Sequence, residues 1–209
     1  RRRHEQPPAM PASRVAPLAP EPARTIARDV NMLAPFAELN IFRVLLHRPK
    51  TAKALSDLLV SLLFQGVLDA RLRELVILRI GWTTGSDYEW TQNWRIAQET
   101  VGCTPDDLLA VRDWRASARF GEAERTVLAA TDELLATGTL DDARFAECVR
   151  RLGRDATVEL VAAVGTWRLV SKLTRALAIP LEDGVASWPP DGAAPGAAAN
   201  TAETRTESR

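Results

Sequence analysis

Between Val30 and Asp183 the chain holds four prolines, Pro35, Pro49, Pro105 and Pro180, and each stands where a helix would begin or end. No internal proline interrupts the long stretches between them, and glycines close several: Gly66, Gly85, Gly102, Gly138 and Gly153. This punctuation predicts an all-α domain. Helices are expected over 49–64, 70–83, 86–101, 122–137, 141–152 and 156–178, with Thr104-Pro105-Asp106-Asp107 opening a short one that reaches about Trp114. Leu55, Leu58, Leu59, Leu62 and Leu63 repeat at helical spacing, and no stretch alternates in the manner of a half-buried strand. The run Leu75-Val76-Ile77-Leu78-Arg79-Ile80 fits either period alone, but its length and neighbours favour a central helix enclosed on all sides.

The 209 residues suffice for one domain with a substantial core. The remainder divides as a Pro/Arg-rich arm over 1–29 and an Ala/Pro/Thr tail over 184–209. Both are expected to be disordered, with Trp188 a candidate for docking on the domain. Twenty-seven basic residues balance 27 acidic ones, which gives nucleic acid and anionic membranes nothing to hold. A soluble, cytoplasmic protein is expected, because no apolar run approaches a membrane span. Cys103 and Cys148 are far apart and clustered with no histidine, so neither a zinc site nor a dithiol centre is expected. The sequence shows no site for a metal or organic cofactor.

Chemistry concentrates on the helix that starts at Ser86. On a helical projection Ser86, Glu89 and Asn93 fall within the arc that holds Trp90, Trp94, Ile96, Ala97 and Val101, while Tyr88, Thr91, Gln92 and Arg95 lie opposite. A carboxyl group buried without a partner is costly and shifts its pKa upward, which makes it a candidate acid or base. Glu74 repeats the anomaly one helix earlier. An antiparallel pairing of the two helices would gather Glu74, Ser86, Glu89 and Asn93 along one seam. Two structural alternatives stand beside this: Ser86-x-x-Glu89 fits a capping box, and Glu74 has Arg71, Arg73 and Arg79 within ion-pair reach. Trp82, Trp90 and Trp94 suit a core as well as a pocket wall, and His4 and His47 are expected at the surface.

The blocks Leu72-Arg73-Glu74-Leu75-Val76-Ile77-Leu78-Arg79, Gly81-Trp82 and Gly85-Ser86-Asp87-Tyr88-Glu89-Trp90 resemble the carboxymuconolactone decarboxylase and AhpD-like alkylhydroperoxidase superfamily. The resemblance implies an AhpD-like helical bundle assembling as trimers or hexamers, with active sites near subunit contacts. It also implies a division of activities. The peroxidase branch has a C-x-x-C pair where Ser86 and Glu89 stand, and a histidine where Asn93 stands; without the thiols, dithiol peroxidase chemistry has no electron pair to exchange. Members without cysteines keep that histidine, which Asn93 replaces with a group that hydrogen-bonds but does not titrate.

The expected function is that of a cofactor-free decarboxylase- or isomerase-like enzyme acting on a small carbonyl or lactone substrate. Glu89 and Glu74 would move the proton, Asn93 and Ser86 would donate to a developing enolate, and Trp82, Tyr88 and Trp90 would contact substrate. Two alternatives remain: a non-catalytic ligand-binding or scaffold relative, and, less favoured, a thiol-based redox role for Cys103 or Cys148.

Overall fold

A computed structural model describes residues 13–196, and among them every regular element is helical. The elements are α1 (Pro20–Asp29), a 3₁₀ turn (Ala34–Glu38), α2 (Asn40–Leu45), α3 (Pro49–Phe64), α4 (Ala70–Thr84), α5 (Asp87–Val101), α6 (Pro105–Ala110) continuing as a 3₁₀ turn (Val111–Asp113), α7 (Glu122–Thr137), α8 (Asp142–Leu152) and α9 (Arg154–Ala176). Helix starts follow the local chemistry. Asp69 caps α4 by accepting from Leu72 N at 3.1 Å, Asp141 caps α8 by accepting from Arg144 N at 2.7 Å, and Thr104 with Asp107 forms a reciprocal capping box on α6. None of these helices is long and apolar enough to cross a membrane.

Helix α4 is the axis of the bundle, packed by α5, α7 and α9. Leu75, Val76, Ile77, Leu78 and Ile80 are all fully buried, which is the enclosure its unbroken apolar run predicts. The turn to α5 depends on Gly85, whose φ of 67° is a left-handed conformation that side chains resist. Gly81 then lets the hairpin close: a Cβ there would lie 2.9 Å from Trp90 N and 3.3 Å from Trp90 Cα. With backbone against backbone at this point, α4 and α5 share one seam for the rest of their length. Arg79 ties α4 to α7 through a two-pronged pair with Asp132, at 2.6 and 3.1 Å, and donates to the carbonyls of Val111 and Arg112.

Within the two terminal segments expected to be disordered, residues 13–29 and 184–196 are ordered. Residues 13–29 run along the domain, with α1 burying Ala23 and Ala27 completely or nearly so. Composition misled because this helix packs through small alanines, and because backbone groups anchor the segment: Arg14 N donates to Leu177 O, Leu18 N to Arg43 O, and Arg43 Nε to Leu18 O. Exposed His47 joins the same seam, its ring nitrogen 2.9 Å from Ala16 O. Residues 184–196 likewise lie against the domain; the expectations for 1–12, including His4, and for 197–209 fall outside the described residues.

Candidate active site

A cavity of about 530 Å³ opens beside the α4–α5 seam, walled by α2, α3, α9 and the first 3₁₀ turn. Its surface is mainly apolar, with Phe36, Phe42, Leu59, Leu63, Ile96 and Trp167 prominent. Glu74 comes from α4, and Tyr88, Glu89, Gln92 and Asn93 from α5. Apolar walls with a few convergent polar groups are the usual composition of a small-molecule site. The two acids and Asn93 thus meet at one chamber, as the seam argument requires.

Both acids are almost wholly buried, at 1% exposure each. Glu89 has no hydrogen-bond partner on either carboxylate oxygen. The hydroxyls of Ser171 and Ser86 lie near enough to temper its shift, but Ser171 Oγ is engaged with Thr84 Oγ1, and Ser86 Oγ sits 3.1 Å from Thr174 Oγ1. Burial therefore drives the Glu89 pKa well above the ordinary carboxylate range. Glu74 Oε2 is also unpartnered, and Oε1 lies 3.9 Å from Arg73 Nε, too far for a hydrogen bond. Burial lifts the Glu74 pKa to about 7, with the Arg73 charge pulling in the opposite direction. Burial favours the protonated form of both carboxyls, and near neutral pH that of Glu74 is poised between its two forms.

Asn93 donates from Nδ2 to Glu89 O at 2.9 Å, one turn back, which leaves its carbonyl oxygen and second N–H for the chamber. Tyr88, expected opposite the apolar arc, is buried instead, and its hydroxyl donates to Glu182 Oε1 at 2.6 Å. Glu182 also accepts from Gln92 Nε2 and from Asn40 N, so one carboxylate pins two cavity-lining side chains to the start of α2. Burial, followed by the Glu182 charge, raises the Tyr88 pKa far beyond its usual range.

Three predicted site residues lie elsewhere. Ser86 is buried against α9 and is not part of the cavity lining, although its hydroxyl lies beside the Glu89 carboxyl; it makes no side-chain cap bond, so the capping-box reading of Ser86 and Glu89 fails. Trp82 and Trp90 face away from the chamber, because the segment after α9 supplies an aromatic partner there. Trp188 packs 5.9 Å from Trp82 and 6.3 Å from Trp90, Trp90 Nε1 donates to Pro189 O at 2.8 Å, and the Arg112 guanidinium stacks on both indoles. The other arginines offered as partners for Glu74 are also taken: Arg71 pairs with Glu124 and Asp107, and Arg79 with Asp132. Sequence reasoning missed Arg73, Gln92 and Glu182. The signal for Arg73 was present, since any charge on a helix buried all round is as anomalous as Glu74.

The helix arrangement defines an AhpD-like all-α protein. It is similar to the debrominase Bmp8, solved in complex with 2,3,4-tribromopyrrole, at TM-score 0.64 and 20% identity over 81% of this chain and 91% of that one. It is likewise similar to an alkylhydroperoxidase AhpD core, an uncharacterized peroxidase-related protein from Ralstonia eutropha JMP134, at TM-score 0.67 and 17% identity over 84% and 95% of the two chains. Identities this low speak for the fold alone. Residues 49–133, which hold both acids, match the Carboxymuconolactone decarboxylase family. The uncharacterized protein YnjA of Escherichia coli K12 is 33% identical over 89 residues, or 42% of this chain; the match spans about half the length of that relative.

Proposed function

We propose that this protein is an enzyme that moves protons on a small carbonyl or lactone compound, by isomerisation or decarboxylation, using only its own side chains. One observation carries the reading: Glu74 and Glu89, whose carboxyl groups hold oxygens without a hydrogen-bond partner among the described residues, belong to the lining of one apolar chamber together with Asn93, which keeps one N–H unbonded. Buried groups left unsatisfied are costly, and such a cost is commonly retained where a ligand completes the bonding. In this reading Glu74, near half-ionised at neutral pH, takes the proton from carbon next to the carbonyl. Glu89, whose neutral form burial favours, returns a proton at the far end of the delocalised system. Asn93 donates its spare N–H to the oxygen on which charge develops.

Thiol chemistry is the weaker reading, because Cys103 and Cys148 are buried and burial raises both pKa values, which disfavours the reactive thiolate. A panel of lactones, β-keto acids and unsaturated ketones incubated in D₂O, followed by proton NMR for exchange or rearrangement, tests the proposal. Glu89→Gln is expected to lower the rate by roughly 10²-fold or more while circular dichroism is unchanged. Full activity in that variant refutes the assignment, and a chamber that binds these compounds without any exchange points to a non-catalytic relative.

A further inference from the structure

Arg73 is a charged group whose hydrogen-bonding capacity the protein leaves largely unused, although its charge bears on the Glu74 pKa. It stands on α4 beside Glu74, lines the chamber and is only 9% exposed. Of its five N–H donors, one makes a protein hydrogen bond, a long one of 3.4 Å to Leu62 O; Nε is buried with no partner. The nearest carboxylate oxygen, on Glu74, is 3.9 Å away. The other arginine of the lining, Arg95, is exposed and already paired with Glu99 at 3.0 Å. A guanidinium taken out of water with only a half-ionised carboxyl at 3.9 Å to oppose its charge costs several kcal/mol, and Arg's planar fork is suited to two parallel bonds with a carboxylate.

We propose that Arg73 is the recognition site for the carboxylate of an apolar organic monocarboxylic acid, whose hydrocarbon or aromatic body fills the remainder of the chamber. The apolar lining argues against a small, highly charged polyacid, which would leave further charges facing Phe36, Phe42 and Trp167. The inference rests on the proton-transfer reading for the substrate's role and narrows it. A carboxylate held by Arg73 is stabilised in the ground state, which opposes loss of carbon dioxide from that group, so isomerisation with the carboxylate retained is the favoured reaction.

Octanoate and octanamide, matched in shape and differing in charge, test the site by isothermal titration calorimetry near neutral pH. The wild type is expected to bind octanoate about tenfold or more tightly than octanamide, the scale of one charge-assisted pair. Arg73→Met should bring that ratio to about one, and Arg73→Lys should retain part of it. Equal binding of the two compounds, binding of neither, or an octanoate preference that survives Arg73→Met overturns the inference. The wild-type comparison alone can overturn the inference, and Arg73→Lys, which keeps the charge, provides a second variant should Arg73→Met fail to fold. The readout is independent of turnover: octanoate selectivity without proton exchange on any substrate removes the catalytic reading and leaves the carboxylate site, and the converse result removes the carboxylate site alone.

Discussion

Burying Glu74 next to a cavity makes the fold sensitive to pH in a direction opposite to that of an ordinary salt-bridged acid. Its pKa rises from 4.5 in the unfolded chain to about 7 in the folded one, chiefly through burial. Between those values the folded state holds the proton more tightly, so protons favour folding and stability falls as pH rises through the window. The displacement corresponds to roughly 3 kcal/mol once the pH lies above both values. Glu89 acts in the same direction, since burial raises its pKa as well. Urea unfolding of the wild type, Glu74→Gln and Glu89→Gln should be compared at about pH 5, 6, 7 and 8. The wild type is expected to weaken across the series, each single variant to weaken less, and the double variant to be nearly flat. Identical pH slopes in the wild type and Glu74→Gln would mean that the Glu74 carboxyl is well solvated, and the argument from burial would fail.

Gly81→Ala is expected to cost about 2 kcal/mol in urea unfolding, because the new Cβ meets the backbone of Trp90, which has no flexible side-chain end to yield. Arg79→Met should cost about 3 kcal/mol by leaving Asp132 poorly compensated inside the bundle, whereas Arg115→Ala, which removes the exposed second partner of Asp132, should cost less than about 1 kcal/mol; equal losses would refute this ranking. Cys103 and Cys148 should remain unmodified by maleimide or dilute peroxide in the native protein, as read by intact mass, and react once urea exposes them.

Much of the helical framework was legible in the sequence because proline, glycine and capping residues act within one or two turns, where no distant partner is needed. Asp69, Thr104 and Asp141 do in the structure what their positions predict. The oddity of Glu74, Glu89 and Asn93 was legible for a related reason: helical period fixes the angular sector of each side chain, and polar groups in an enclosed sector stand out. The terminal segments were less legible, since α1 is held by two alanines and by backbone bonds that composition does not register.

Local sequence signals were enough to set the helices from α3 to α9 and their ends, and to put acids in buried sectors of two consecutive helices, but not to reveal α1 or α2. Only the tertiary structure decided which buried sector adjoins empty space. Trp82 and Trp90 lost their place at the chamber because Trp188, about a hundred positions further along the chain, covers them. Tyr88 and Gln92 joined the chamber wall, held by Glu182. Local sterics and hydrogen bonding set the turn of a helix, but which neighbour fills the space beside each face is settled by packing among segments far apart in sequence.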